Sequence, residues 1–383
     1  MNSARVKIVI SGVEGVNKGA ELMLYAILSQ IEKRYPDAEV YLPITQFPGG
    51  CKRIKTSLSL RPNPNKIVRF FGKNHITGVL NRLGIRFDYL NNLFPVKDAK
   101  YYIDASGLYF SDQMISSKRV AKDLWILLER YKKQGTRIIY LPQAFGPFEQ
   151  SASKIAVGAA LKFSDILIAR DTISMNYLST FDVNGVTIKQ YPDFTSVIGG
   201  RVPCEYRNLE GRVCIIPNGQ IVRKGVMSKA DYVNMIINMV EFIYASGHNI
   251  FFLDHAHDLS LIKEIARGLQ MEIPIVSGLD ALSIKGIIGQ SYLCVSSRFH
   301  GVASAFSTQV PCLTTSWNHK YQELLKLYDM QDSLLPSSQK EIMNKLAQYL
   351  RQDVNSAIRI RLAKKNQEVQ QSVNEMWKYV WSI

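Results

Sequence analysis

Residues 296–301 read Ser296-Ser297-Arg298-Phe299-His300-Gly301 and follow directly on the apolar run 292–295. Gly301 then opens a helix-like stretch, VASAFS. Arg298 offers a planar fork of donors suited to a carboxylate or a phosphate. His300 can hand over a proton near neutral pH. The competing reading is a surface arginine and a capping histidine; two polar groups wedged between apolar runs weigh against it. A second block, Ser316-Trp317-Asn318-His319-Lys320-Tyr321, follows the run 312–315 and again places a histidine and a cation at a strand end. It reads equally as an aromatic loop that packs the C-terminal tail. A third, 12–21 (GVEGVNKGAE), leaves the first apolar run and enters a helical pattern. Its glycines would let backbone N–H groups approach an anion beside a helix N-terminus, with Glu14, Asn17 and Lys18 at hand. It is neither GxGxxG nor a Walker A loop, and a plain connecting turn is the alternative.

Other polar residues stand singly after apolar runs: Asp104 with Ser106-Gly107, Gln143 with Gly146-Pro147, Arg170-Asp171, Asn218, and Asp254-His255. Each alone reads as a cap or turn former. Together they would line one cleft. The segment His255-Ala256-His257-Asp258 carries ligand-type residues, but HxH in a loop is a weak metal signal. No triad of carboxylates suggests magnesium, so no metal is expected.

Something must hold these residues at strand ends. Short apolar runs at 6–10, 40–42, 101–103, 137–141 and 166–169 alternate with helical stretches such as 120–133. Alternating strands and helices imply a mostly parallel sheet. The same pattern restarts near 211, with runs at 213–216, 250–253, 273–276, 292–295 and 312–315. Ser228 with Asp231 three residues on resembles a capping box at the head of a helix. The expected architecture is two Rossmann-like, doubly wound α/β domains facing across a cleft. An N-terminal domain is expected over 1–200 and a C-terminal domain over 205–335. A charged helical tail over 338–383 ends in Met376, Trp377, Tyr379, Val380 and Trp381, an aromatic end suited to docking. Open α/β sheets bind ligands outside the carboxyl ends of their strands, where these polar residues fall.

Composition bounds the partners. The chain has 383 residues and no apolar run of eighteen, and its start lacks a signal-peptide plan. The five cysteines are scattered without CxxC spacing, so neither a zinc site nor a disulfide framework is expected, and a cytoplasmic setting fits. Lys and Arg number 47 against 32 Asp and Glu, a net charge of +15. Residues 40–87 contain no acid but carry Lys52, Arg53, Lys55, Arg61, Lys66, Arg69, Lys73, Arg82 and Arg86. No RNA- or DNA-binding signature accompanies them, so nucleic acid is not the expected partner. Phe70, Phe71, Leu80, Leu83 and Phe87 interleave with the cations, the plan of a segment lying on an anionic membrane surface. A solvated charged face over a partly buried helix is the alternative.

Several separated blocks resemble the polysaccharide pyruvyl transferase family. They are GVNKGAELML at 15–24, DASGLYFSDQ at 104–113, LPQAFGPF at 141–148, ARDTIS at 169–174, PDFT at 192–195, IIPN at 215–218, and above all SSRFHGVASAFSTQVPCLTTSWNHKYQELL at 296–325. The resemblance implies a two-domain architecture similar to the GT-B glycosyltransferases. It implies transfer of a carboxyethylidene group from phosphoenolpyruvate to two hydroxyls of one sugar, the donor being a substrate and no cofactor being needed. By the family's motif, Arg298, Phe299 and His300 hold phosphoenolpyruvate, and Arg170 matches the ARD position. At DASGLYFSDQ related chains often carry a second glycine, a departure that bears on Asp104. The expected mechanism uses Arg298, Arg170 and Lys320 as the anion clamp, with Asn17, Lys18 and Asn218 as further binding residues. His300 is the first choice of acid and His319 the second; Glu14 or Asp104 would deprotonate the sugar hydroxyls. The acceptor could be a lipid-linked sugar on the cytoplasmic leaflet, which would give the basic stretch a purpose. The rival is a GT-B glycosyltransferase using a nucleotide sugar.

Overall fold

In the computed structural model the described residues are 5–43, 54–62, 95–182, 185–315 and 319–383. Of the nine cations in the basic stretch, Lys55 and Arg61 fall among them. The membrane-surface reading of that stretch lies otherwise outside the described residues. Arg61 meets Glu39 at 3.2 Å.

The chain forms two compact units. One comprises Met1–Val16, Met23–Phe194 and Val373–Ile383; the other comprises Asn17–Leu22 and Thr195–Ser372. The first turn of helix α1 (Lys18–Arg34) and most of the last helix therefore group with the second unit. A pattern read along the chain places such pieces by sequence order, whereas contacts place them in space.

The first unit is built on β1 (Lys7–Ser11), β2 (Glu39–Leu42), β3 (Ser59–Pro62), β4 (Tyr101–Asp104), β5 (Arg137–Gln143), β6 (Ile166–Ala169) and β7 (Thr187–Gln190). They pair in parallel in the order β3-β2-β1-β4-β5-β6-β7. Helices cover the faces of a parallel sheet, so its inner strands read as unbroken apolar runs, as β6 (ILIA, fully buried) does. The edge strand β7 (TIKQ) is mostly exposed and carries no such run, so sequence patterning does not reveal it. Helix α2 (Lys118–Lys133) starts where Ser117 accepts the Val120 N–H. It buries Ala121, Leu124, Leu127, Leu128 and Tyr131 on one stripe, each large apolar side chain contributing about 1.5–3 kcal/mol. Helices α3 (Ser151–Phe163) and α4 (Thr172–Leu178) complete the layer. The aromatic end of the chain does dock: Trp381 meets Tyr35 and Tyr101 edge-on, and Trp377 meets Phe194 edge-on.

The second unit repeats the design with β8 (Val213–Ile216), β9 (Ile250–Leu253), β10 (Ile275–Val276), β11 (Leu293–Ser296) and β12 (Cys312–Leu313). They pair in parallel in the order β10-β9-β8-β11-β12. Its helices are α5 (Gly219–Arg223), α6 (Lys229–Ala245), α7 (Leu259–Arg267), α8 (Ala281–Gly289), α9 (Phe299–Ser307), α10 (His319–Leu327) and α11 (Gln339–Leu350). The last helix is α12 (Gln352–Val380). Ser228 caps α6 by accepting the Asp231 N–H at 3.1 Å, and its hydroxyl donates to the Asp231 carboxylate at 2.6 Å, so the reciprocal contact runs through the serine hydroxyl and not through its backbone N–H. Cys214 and Cys294 face each other across β8 and β11 as wholly buried core residues.

In both sheets the strand order reverses beside the first strand of the unit. Those reversals lie between β1 and β4, and between β8 and β11. At such a point the crossovers run to opposite sides and leave the carboxyl ends of two strands open to a ligand.

Candidate functional site

In the second unit the reversal is occupied by Asn218 after β8 and by Ser297-Arg298 after β11. The Asn218 side chain accepts the Gln220 N–H at 3.0 Å and so caps α5; its amide donates to the Ser297 carbonyl at 2.6 Å. Tyr321 donates to the same carbonyl at 2.7 Å, and Thr315 donates to the Ser297 hydroxyl at 2.7 Å. The Ser296 hydroxyl takes the Arg298 N–H at 3.1 Å. These bonds turn the chain two residues earlier than the glycine suggests. Helix α9 opens at Phe299, with Arg298 as its N-cap residue, and not at Gly301. Arg298 therefore stands at the helix entrance and His300 lies in its first turn. Phe299 is buried, edge-on to Tyr321 and to His300.

The Arg298 guanidinium is not an open fork. It donates to Asp258, a carboxylate with a side chain 2% exposed at the head of α7. Arg223, at the end of α5, donates to the other oxygen of Asp258 at 3.3 Å. The sequence gives this little away, because a carboxylate and a guanidinium 40 residues apart have no local spacing. Residues 255–258, which resemble a weak metal motif, serve otherwise here. Asp254 accepts the Ala256 and Asp258 N–H groups, fixing the loop that presents Asp258. Among the described residues no group of three His, Cys, Asp or Glu could hold a metal ion.

The turn Asn17–Leu22 brings further residues to this unit. Asn17 accepts the Gly19 N–H at 3.1 Å, and Lys18 pairs with Glu21 at 2.6 Å. Burial pushes the Glu21 carboxyl up, opposed by Lys18 and by the Ala281 N–H. The His300 ring lies against the Gly19 backbone, where an added Cβ would stand 2.6 Å from Cε1. His255 is 5% exposed. Burial first, then the charges of Arg298, His300 and Lys18, pull its imidazole down to about 3. A buried histidine whose imidazole is disfavoured as a cation by Arg298 and Lys18 marks a region of positive potential, suited to an anion.

Gly19→Ala is accordingly expected to displace the His300 ring. If the ring takes part in the reaction, turnover should fall by up to about a hundredfold, the loss that a misplacement of roughly an ångström can cause, while the thermal midpoint changes little. Circular dichroism melts and steady-state assays on the same preparation check this. Wild-type turnover would show that the ring has room to move.

The first unit has its own strand-end cluster. Asp104, paired with Ser11 across the β1–β4 reversal, accepts the Ser106 N–H at 3.0 Å and the Ser106 hydroxyl at 2.6 Å. Burial pushes its carboxyl up, against hydrogen bonds from Ser106 and Ser11. Gly12, at φ +74°, leaves the room that Ser106 fills. Arg170 follows β6, its side chain 8% exposed, 4.0 Å from Asp193. Glu14 is half-buried in the loop after β1. The structure thus gathers Arg298, Phe299, His300, Asn218, Asn17 and Lys18 in the second unit, and Asp104, Glu14 and Arg170 in the first. His319 and Lys320 open α10; their side chains lie outside what is described. Arg223 is the site's addition to the residues read from the sequence; His255 and Asp258, read there as a strand-end residue and part of a weak metal motif, sit in it as a buried imidazole and as the partner of Arg298.

Among solved structures the chain is similar to the UDP-GlcNAc 2-epimerase from Neisseria meningitidis bound to UDP-GlcNAc. The TM-score is 0.58 at 9% identity, with 99% of this chain and 100% of that one covered. It is also similar to the trehalose-6-phosphate synthase OtsA, with TM-score 0.57, 12% identity and 98% of each chain covered. A third likeness is to WaaG, a glycosyltransferase involved in lipopolysaccharide biosynthesis, with TM-score 0.53, 10% identity, and 98% and 99% covered. At such identities the likeness concerns the fold. No curated protein sequence matches the chain. A family model for polysaccharide pyruvyl transferase matches residues 17–319, from the turn that carries Lys18 through the Arg298–His300 block to the start of α10. The chain therefore belongs to the polysaccharide pyruvyl transferase family and is a pyruvyl transferase enzyme.

Proposed function

We propose that the enzyme takes phosphoenolpyruvate as donor, forms a cyclic pyruvate ketal on two hydroxyls of one saccharide, and releases phosphate. The observation that carries this reading is the cluster at the entrance of α9: Arg298, with a buried guanidinium N–H that makes no hydrogen bond, His300 in the first turn of the helix, and Lys18 next to the Gly19 backbone that lies against the His300 ring. Phosphoenolpyruvate bears a carboxylate and a phosphate, and such a cluster at the entrance of α9 suits both.

In the proposed reaction His300 protonates the methylene carbon, which makes C2 electrophilic. One sugar hydroxyl adds to C2 and gives its proton to a base. The C2–O bond to phosphate breaks, and the neighbouring hydroxyl closes the ring as its own proton departs. Of the two protons lost by the sugar, one balances the proton placed on the methyl group and the other accompanies the phosphate. Fixed cations stabilise the departing phosphate without reorganising, which in enzymes is commonly the largest contribution to rate. Asp104 is committed to Ser106 through two hydrogen bonds, which favours Glu14 as the base. His319 is the alternative acid, and Arg170 and Lys320 are further cations for the donor. A lipid-linked saccharide at the inner face of the cytoplasmic membrane is the acceptor that would use the basic stretch. No helix among the described residues is long and apolar enough to cross a membrane, and the association proposed is a peripheral one.

Arg298→Ala is expected to weaken phosphoenolpyruvate binding by about 1.5–3 kcal/mol, the worth of a charge-assisted contact. Calorimetric titration without added metal reads this directly. Tight binding of a UDP- or GDP-sugar, with none of phosphoenolpyruvate, would instead favour a nucleotide-sugar donor, the chemistry of the competing glycosyltransferase reading.

A further inference from the structure

We propose that Arg223 is a second anion-binding cation of the donor site, and that Asp258 is the positioning residue that holds Arg223 and Arg298 as a pair. This rests on the phosphoenolpyruvate reading and adds to it two residues that the family motif does not single out.

One buried carboxylate carries both guanidinium groups. Asp258 receives Arg298 on one oxygen and Arg223 on the other, the latter at 3.3 Å. The trio keeps a net positive charge, so an incoming anion meets attraction. Donors remain on both arginines, since each guanidinium has five N–H groups. Arg298 Nε is buried and makes no hydrogen bond, and a buried guanidinium N–H suits an anionic oxygen. The Arg223 side chain is 54% exposed and touches Asp258 through one terminal nitrogen. Its other donors can turn to a ligand without leaving the carboxylate.

The backbone is shaped for this arrangement. Gly219 opens α5, and a Cβ there would stand 2.6 Å from Asp258 Oδ1 and 2.8 Å from Arg223 Nη1. A side chain at 219 would part the carboxylate from the guanidinium. Asn218 caps the helix that carries Arg223 and bonds the Ser297 carbonyl beside Arg298, so the two cations are tied to one frame. Without Asp258, Arg298 with its side chain 16% exposed would stand largely buried and uncompensated near other positive groups.

The test is calorimetric titration of the full chain with phosphoenolpyruvate and, separately, with inorganic phosphate. Arg223→Gln is expected to weaken both by about tenfold or more, and Arg223→Lys to recover part of the loss because the charge remains. Asp258→Asn should weaken phosphoenolpyruvate binding and raise KM more than it lowers kcat. In an Arg298→Gln background it should cost less than in the wild type, because only its hold on Arg223 is then left to lose. If Asp258→Asn does not fold, Asp258→Glu keeps the charge and should bind with intermediate affinity. Wild-type affinity for both probes in Arg223→Gln, with Arg298→Ala still weakened, would overturn the role of Arg223 and leave the donor reading standing. Full additivity of Asp258→Asn with Arg298→Gln would overturn the positioning role. A wild-type protein that binds neither probe would sink the donor reading and this inference together.

Discussion

His300→Gln and His300→Ala are expected to retain the fold and to lose about 10²–10⁴ in turnover, the usual contribution of a general acid. The expectation rests on position. His300 lies in the first turn of α9, two residues after Arg298, with Phe299 edge-on to it and the Gly19 backbone against its ring. That packing fixes the ring beside the proposed anion clamp, and preorganisation of this kind is what a proton donor to carbon requires. Donor affinity should change far less than turnover, because Arg298 stays in place. The measurements are single-turnover phosphate release and donor titration on the same variants. Near-normal turnover in both, with His319→Ala inactive, would transfer the acid role to His319. Activity in all three would remove histidine from the chemistry.

The fold was legible wherever burial forces a simple pattern. Parallel strands covered on both faces must be apolar throughout, and VCII, IFFL and ILIA are. Helix α6 buries Tyr232, Met235, Ile236, Met239, Val240 and Ile243 at helical spacing, and its Ser228 cap is visible in the sequence. Edge strand β7 was not legible, since one paired side and little burial leave a polar tetrapeptide unconstrained. The start of α9 was misplaced by two residues because Gly301 looks like a boundary. Its missing Cβ instead makes room for the Ser296 hydroxyl that turns the chain earlier. For the site, residue type and strand-end position singled out Arg298, His300 and Asn218. They could not show that Arg298 is tied to Asp258, nor that the turn at 17–22 groups with the second unit, because both are long-range contacts.

His255 supplies the second large effect, on stability. Burial first, then Arg298, His300 and Lys18, hold its imidazole at about 3 in place of the ordinary 6.5. Between those values the unfolded chain binds a proton that the folded chain refuses. The folded state therefore has its full advantage above pH 6.5 and loses it as the pH falls toward 3. The slope is about 1.4 kcal/mol per pH unit at most. Carboxylates also titrate in this range, so the informative quantity is the difference between wild type and His255→Asn. That variant cannot take up the proton, so wild type should lose roughly 2–3 kcal/mol relative to it between pH 7 and 4.5. Urea denaturation at both pH values gives the two free energies. Arg298→Gln removes one of the charges acting on the imidazole and should raise its pKa, shifting the loss of stability to higher pH. Parallel stability curves for wild type and His255→Asn would mean that the folded protein accepts the proton on His255 as readily as the unfolded chain does. A buried position beside Arg298 could not do that, since it would have to admit one more cation without penalty.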